Sequence, residues 1–524
     1  MNILLVYPQY VDTFWSFKHA LKFASKKAAF PPLGLLTMAA MLPPEWEKKV
    51  VDMNVDKLTD KDLKKADYVF ISAMVVQWES SREVVDRCKK LGIKTVAGGP
   101  LFTMVPQEFP DVDHLVLDEA ETTLAPFLED LKNGCAKKMY RAPVDVWPDV
   151  TKTPVPMWEL IKMNKYASMN VQYSRGCPFD CEFCNVTTLN GHRPRTKTGE
   201  QIVNELESLY KVNWRGAVFV VDDNFIGNKN KLKKEVLPAI SAWMKEKKYP
   251  FHLNTETSIN LADDVELMDM MTDAGFNTVF IGIETTNEGS LEECHKVQNQ
   301  KRDLAESVKK IQNHGIQVQA GFIVGFDSDP QSIFQEQIDF IQKTGIVTAM
   351  VGMLMAPPQT RLYRRMEKEG RIIPGGSGDN TDGSTNVIPK MGYEKLFNGY
   401  RKIVQTIYSP EQCYQRIKTF IKEYKPPRKN WGRKLPGLSD IKSLLHTALV
   451  LGIREKERWV YWKLVISTLF KRPRFLHLSI TLMAYGYHFR KVADKLRYPP
   501  VSRMTPMQPV TANAGNEKSN QNVN

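Results

Sequence analysis

Short apolar runs alternate with longer amphipathic stretches over the first 140 residues. "NILLVYP" opens the chain, and "YVFISAM" (Tyr68–Met74), "IKTVAGG" (Ile93–Gly99) and "DHLVLDEAE" (Asp113–Glu121) repeat the pattern. Runs of this length bounded by polar residues read as buried strands, while "ESSREVVDRCKKLG" and "TLAPFLEDLKNG" carry a helical period. Strands alternating with helices predict an α/β domain with a parallel, doubly wound sheet. Ligands of such sheets lie beyond the carboxyl ends of the strands. Here those ends carry Pro8–Tyr10, Ala73–Gln77, Gly98–Phe102 and Asp118–Glu121.

A proline-rich stretch over residues 141–167 reads as a linker. A second series then begins: "SMNVQYS", "GAVFVVDDNF", "FHLNTETS", "TVFIGIET", "IQVQAGFIVGF" and "TAMVGMLMAP", with helical segments such as "GEQIVNELESLYKV" between them. Six strands with crossover helices predict a partial or full parallel barrel over residues 168–373, its site at the carboxyl ends of the strands. "PGGSGDNTDGSTN" (374–386) reads as a mobile or substrate-facing loop, and a helical domain follows to about residue 500. Residues 501–524 lack a core and read as disordered.

A length of 524 residues fits about three domains. A net charge of +13 permits phosphate-bearing, membrane-surface or nucleic-acid partners without selecting one. Seven scattered cysteines exclude a secreted disulfide framework and fit a reducing cytoplasm. "MNILLVYPQY" reads as a first strand and not as a signal peptide.

"YSRGCPFDCEFCN" (Tyr173–Asn185) gathers Cys177, Cys181 and Cys184 in a CxxxCxxC spacing. The polar neighbours Arg175, Asp180 and Glu182 argue against three packed core thiols. Zinc wants a fourth nearby ligand, a place open to His192. Thiolates suit the irons of an iron–sulfur cluster, and three of them leave one iron of a [4Fe-4S] cluster free to bind a substrate or cofactor.

The motif, with the aromatic Phe183 before its last cysteine, resembles that of the radical S-adenosylmethionine (SAM) enzymes. The resemblance implies that Cys177, Cys181 and Cys184 hold a [4Fe-4S] cluster whose fourth iron is chelated by SAM. It implies that Asp222 or Asp223 in "VVDDNF" contacts the SAM amino group. Glu256 in "NTETS", taken as a fourth-strand position, would hold the ribose, and Gly321 and Gly325 in "GFIVGF" would pack near adenine. Read as residues alone, the aspartates also suit a turn cap, Glu256 a salt bridge and the glycines a crowded strand. Arg193, Arg195 and Lys197 suit either an anionic group or a solvated face.

The first domain, with "FPPLGLLTMAAML" (Phe30–Leu42), resembles the cobalamin-binding domain of the B12-dependent radical SAM class. The contacts this implies are Tyr10, Met74, Val75, Gln77, Trp78, Gly98, Gly99, Pro100, Asp118, Glu119 and Glu121. The chain has no Asp-x-His-x-x-Gly motif, and His114 lies in the wrong context to reach cobalt. Cobalamin would therefore bind without a histidine on its lower face, against "MVVQW" (Met74–Trp78), or the domain has lost it. "VDDNFIGNK" and "WKLVISTLF…LMAYGYHFRKV" extend the likeness to the hopanoid-methylase group. That likeness implies SAM cleavage to a 5′-deoxyadenosyl radical and methyl transfer from methylcobalamin to an unactivated carbon of a hopanoid- or isoprenoid-like lipid. A flavodoxin or ferredoxin would supply the electron. The alternatives are a radical SAM lipid cyclase or coupling enzyme without methyl transfer, and a non-catalytic iron–sulfur or corrinoid carrier.

Residues 451–500 hold 11 Lys and Arg against 3 Asp and Glu, around "WVYWKLVISTLF" and "FLHLSITLMAYGYHF". The second run has 15 residues, short of the roughly 20 a membrane span needs. Two readings stand: a basic amphipathic pair on anionic lipid, or a helical layer packed on the barrel with solvated cations. A lipid substrate favours the first, with the protein at the inner face of the membrane. No folded module for nucleic-acid recognition is visible.

Overall fold

A computed structural model describes residues 1–373, 378–379, 381–426 and 438–496, with only the backbone of 438–440. The tail 501–524 and part of the 374–386 loop lie outside the described residues.

The first sheet contains β1 (Asn2–Tyr7), β2 (Glu47–Asp52), β3 (Tyr68–Ser72), β4 (Lys94–Gly98), β5 (His114–Val116) and β6 (Met139–Tyr140). They are all parallel, in the order β2-β1-β3-β4-β5-β6. Apolar faces explain the two layers beside it: Leu4, Val6, Val69 and Ile71 are buried in one core, Ile3, Leu5, Phe70 and Val96 in another. The strand order reverses between β1 and β3, so their carboxyl ends open a crevice at a topological switch point. Tyr10 and Met74 follow those two ends.

The second unit contains β7 (Ser168–Val171), β8 (Ser174–Arg175), β9 (Arg195–Thr196), β10 (Ala217–Val220), β11 (His252–Thr257), β12 (Phe276–Glu284), β13 (Gln317–Val324) and β14 (Ala349–Met353). Six of these make a parallel sheet in the sequential order β7-β10-β11-β12-β13-β14. Its outer strands β7 and β14 do not pair with each other, so the barrel is partial. Alternation along the strands buries Val218, Val279, Ile281, Ala320 and Phe322 under the helices. It leaves Phe219, Glu256, Phe280, Gln319 and Met350, on the concave face, half-buried.

The segment after β1, counted with the first domain in the sequence reading, packs elsewhere. Trp15 sets its edge on Phe280 of the barrel, with centroids 5.0 Å apart, and Phe30 meets Phe219 at 5.3 Å. Phe14 stacks on Phe489 of the last helix at 4.0 Å. These contacts between bulky aromatic side chains hold the segment on the barrel.

After the barrel, helices Tyr393–Ile407 and Pro410–Glu423 pack on helix Ile333–Thr344. Arg416 is fully buried there, with guanidinium hydrogen bonds to Gln342 Oε1 (3.0 Å) and to the carbonyls of Ile407 and Val347. Helices Leu438–Leu449, Arg458–Lys471 and Leu476–Ala493 complete the C-terminal domain.

Candidate active site

The three cysteines lie on a loop bracketed by the antiparallel β8–β9 ribbon, which pairs Ser174 with Thr196 and Arg175 with Arg195. Gly176 turns the chain into the loop at φ +93°, and a Cβ there would lie 2.8–2.9 Å from the carbonyl oxygens of Asn190, Gly191 and Arg193. The loop is pinned on its far side as well. Glu182 N–H donates to Cys294 O (2.9 Å), and the Glu182 carboxylate accepts a guanidinium fork from Arg365 (2.8 and 2.8 Å).

Among the described residues only Asp12, His19 and His488 gather ligand atoms within 4.8 Å of one another. The three thiols are therefore more widely spread than the ~3.8 Å between sulfurs on one tetrahedral zinc. His192 is exposed, and Cys294 turns its thiol back to Leu291 O at 3.7 Å. Three spread soft donors on one loop fit a cluster with three protein ligands. Burial pushes the Cys184 thiol up to about 12, against the pull of the Lys296 ammonium. Gln298 Nε2 donates to Cys181 Sγ at 3.6 Å. The Asp12–His19–His488 group is bound up in packing: His488 Nε2 lies 3.0 Å from Phe14 O, and its Nδ1 accepts from His19 N at 3.4 Å.

The expected SAM contacts divide. Asp222 is fully buried, and its two oxygens accept from Tyr173 N (2.8 Å) and Ser174 Oγ (2.5 Å). It ties the end of β10 to the ribbon from a fully buried place, which corrects its assignment from a SAM contact to a positioning residue. Asp223 takes only Asn190 Nδ2 (3.1 Å) from a side chain and faces Gly176. Glu256 lies on the third barrel strand, β11, and not on the fourth. The fourth strand, β12, ends instead in Glu284, buried with φ +64° at a bulge and paired with Lys296 Nζ at 2.7 Å. Among the described residues Glu256 has no side-chain hydrogen bond, and burial with the charges of Asp223 and Asp222 raises its carboxyl to about 8. Gly321 lies against Phe280, where a Cβ would come 3.1 Å from the ring. Gly325 has φ +109°, and its N–H donates to Asp329 Oδ2 at 2.8 Å. Phe183 packs with Phe326, centroids 6.2 Å apart, with Lys296 Nζ 5.9 Å from its ring.

Sequence reasoning missed Gly282, Glu284, Lys296 and Gln298. A Cβ on Gly282 would lie 2.2 Å from Glu284 Oε1 and 2.8 Å from Lys296 Nζ, so glycine is what lets the buried pair close. The "GIET" end of the strand, with an acid after a glycine, was the available signal.

The expected cobalamin contacts divide too. Tyr10 and the exposed Met74 stand at the switch-point crevice, and Val75 lies beneath Gly378. Gly98 and Gly99 leave the end of β4 bare: a Cβ on Gly98 would meet Val116 O at 2.4 Å, and Gly99 has φ +87°. Pro100 is exposed beside them. Bare backbone beside an apolar rim fits a large flat ring. No histidine stands at these strand ends; His114 is at the start of β5, its Nδ1 2.7 Å from Lys137 O.

Four of the expected contacts are corrected. Gln77 is fully buried, its amide spanning Met74 N (2.7 Å) and Pro8 O (2.5 Å), so it shapes the crevice without lining it. Trp78 packs on Phe109 in the core, centroids 5.4 Å apart. Glu119 binds Arg175 Nη1 (2.5 Å) and both terminal nitrogens of Arg195 (2.6 and 3.1 Å). Glu121 takes Arg175 (2.8 and 3.0 Å) and Thr153 Oγ1 (2.8 Å). These two acids fasten the cysteine ribbon to the first domain. Asp118, at φ +61°, accepts from Ala142 N at 3.0 Å and holds the turn.

Three family profiles match the chain: "B12 binding domain" over residues 23–128, "Radical SAM superfamily" over 171–341 and "Domain of unknown function (DUF4070)" over 360–499. The chain is 40% identical to an uncharacterized methyltransferase of Synechocystis sp., over 95% of this chain and 93% of that protein. It is 31% identical to the hopanoid C-2 methylase of Rhodopseudomonas palustris, over 90% of each. Its fold is similar to the cobalamin-dependent SAM radical enzyme OxsB with aqua-cobalamin bound, at TM-score 0.60 and 14% identity over 94% of this chain and 80% of that one. It is also similar to the radical SAM methyltransferase TsrM of Kitasatospora setae with cobalamin and a [4Fe-4S] cluster bound, at TM-score 0.56 and 16% identity over 71% and 79%.

Proposed function

The chain belongs to the B12-binding radical SAM enzymes related to the hopanoid methylases, and from that premise we propose that it methylates an unactivated carbon of a hydrophobic, hopanoid- or isoprenoid-like lipid. The observation that carries the lipid is the wall of the concave face. Trp15, Phe30, Phe219, Phe280 and Met350 meet there half-buried, offering a hydrocarbon an apolar surface beside the polar Glu256 and Gln319.

Cys177, Cys181 and Cys184 would hold the [4Fe-4S] cluster. Phe183, Asp223, Glu256 and Gly321 would receive SAM, and Tyr10, Met74, Gly98 and Gly99 would receive cobalamin in its methyl form. Bound together, these groups supply radical generation and the methyl donor. The protein's own work is positioning and exclusion of water. The Glu284–Lys296 pair sets a fixed cation beside the cysteines, and the Trp15 segment shields the concave face. The electron would come from a low-potential carrier such as a flavodoxin or ferredoxin.

The test is anaerobic turnover of the reconstituted enzyme with methyl-deuterated SAM and a hopanoid or isoprenoid lipid, after bound iron and cobalt have been measured. Labelled methyl in the lipid, absent with Cys177→Ala, is the expected result. Iron without cobalt, or a ring-closed lipid without label, would transfer the assignment to a radical SAM cyclase.

A further inference from the structure

Helix Arg458–Lys471 is half core and half bare. Tyr461, Leu464 and Thr468 are buried against the neighbouring helices. On the opposite side Trp459 (74% exposed), Trp462, Ile466, Leu469 and Phe470 (82%) recur at helical spacing as one stripe. The Trp462 indole donates to Gly452 O at 2.9 Å, placing the stripe beside exposed Ile453. Leu449 and Leu445 precede Ile453 at four-residue steps and are exposed as well. An apolar run of this extent on a surface marks an interaction site.

Its charge selects the partner. Between residues 441 and 474 there are eight Lys and Arg and two acids, Glu455 and Glu457. Arg490 takes both acids, at 2.7 and 3.0 Å. The stripe is left rimmed by cations, with Arg458 and Lys463 on its two flanks and Lys471 at its end; Lys463 also meets the exposed Glu411 carboxylate at 3.4 Å, a solvent-screened pair. It offers almost no directional bonding, since the Trp462 N–H is already spent. An acidic protein partner would need such groups, whereas a bilayer does not. Among the described residues no helix is long and apolar enough to cross a membrane, so the helix would lie in the interface plane.

We propose that this face seats the protein on an anionic lipid bilayer, with Trp459 and Phe470 at the headgroup–acyl boundary and Arg458, Lys463 and Lys471 against lipid phosphates. The proposal stands on the surface alone and not on the identity of the substrate. It is tested by co-sedimentation of the full-length holoprotein with vesicles of phosphatidylcholine alone or mixed equally with phosphatidylglycerol. Binding to the mixed vesicles should exceed binding to the neutral ones by about tenfold and weaken with salt. Phe470→Ser, and Trp459→Ser with Phe470→Ser, should lower it by about tenfold while bound iron and cobalamin stay constant as the measure of folding. Arg458→Glu with Lys463→Glu should abolish the preference for anionic lipid. Absence of binding at low salt, or binding indifferent to these substitutions, overturns the proposal. So does a dimer in sedimentation without vesicles that the serine variants dissolve, since the stripe would then join two copies of the chain.

Discussion

Glu119, in the loop after β5, and Arg195, in β9, are joined by two hydrogen bonds of 2.6 and 3.1 Å. Across the ribbon Arg175 reaches the same carboxylate, so one acid of the first domain holds both strands that bracket the cysteine loop. The first domain and the cysteine ribbon are thus linked by a buried ion-pair network and not by the 141–167 stretch alone. Glu119→Gln keeps the shape and removes the charge between two largely buried guanidiniums. Breaking a buried pair costs about 3–5 kcal/mol, and Glu121 retains part of the network, so a loss of about 2–3 kcal/mol is expected in urea unfolding. Bound iron and cobalamin should fall together. Unchanged stability would show that the network contributes no net energy.

Gly176→Ala should act on the cluster alone. The residue needs φ +93°, and the added methyl would meet three carbonyl oxygens that cannot retreat without opening the ribbon. Most bound iron should be lost while far-ultraviolet circular dichroism and bound cobalamin are retained. Gly92→Ala, at φ +68° but with open space around the missing Cβ, is the control and should keep its iron.

The fold was legible in the sequence, the site only as a set of candidates, and what was not legible has physical causes. The barrel strands announce themselves as apolar runs because their outer faces are buried under helices. β2, "EKKVVD", is an edge strand with only its last two residues buried, and its charges hide it. Glu256 and Glu284 both face inward on neighbouring strands, so only the sheet order tells which belongs to the fourth. Lys296 sits in the polar run "CHKVQNQ" and looks solvated, yet a partner twelve residues back takes it into the interior. Gln77 looked like a lining residue because a buried carboxamide that satisfies two backbone groups leaves no trace in composition.

Lys296 also sets an electrostatic expectation. Its ammonium is buried, paired with Glu284 and felt by the thiols of Cys177 and Cys184. Lys296→Met removes a positive charge near any cluster held there and leaves Glu284 unpaired. A unit charge at such range in a protein interior is worth about 2 kcal/mol, or roughly 100 mV for one electron. The reduction potential, followed by electron paramagnetic resonance in a redox titration, should shift negative by that order. Glu284→Gln should shift it positive. Equal potentials in all three proteins would remove Lys296 from the site's electrostatics.

Glu256 makes the stability of the cofactor-free protein fall as pH rises from about 4.5 to about 8. An ordinary glutamate loses its proton near 4.5, but in the fold burial, Asp223 and Asp222 hold it to about 8. Between those values the folded chain binds a proton that the unfolded chain does not. The stabilising contribution is therefore complete below about 4.5 and is lost as pH rises through about 8. Glu256→Gln keeps the shape without the charge, so its stability relative to wild type should grow between pH 5.5 and 8.5, by about 1–2 kcal/mol in urea unfolding once solvent relaxation is allowed for. Asp222 is the contrasting case. Its carboxyl is also raised, to about 7, but both its oxygens accept hydrogen bonds. Asp222→Ala leaves the Tyr173 N–H and the Ser174 hydroxyl without their buried acceptor, so it should destabilise across the whole range. Parallel pH profiles for wild type and Glu256→Gln would mean that Glu256 is ionised in the fold, with a cation or solvent path that the buried carboxylates do not provide.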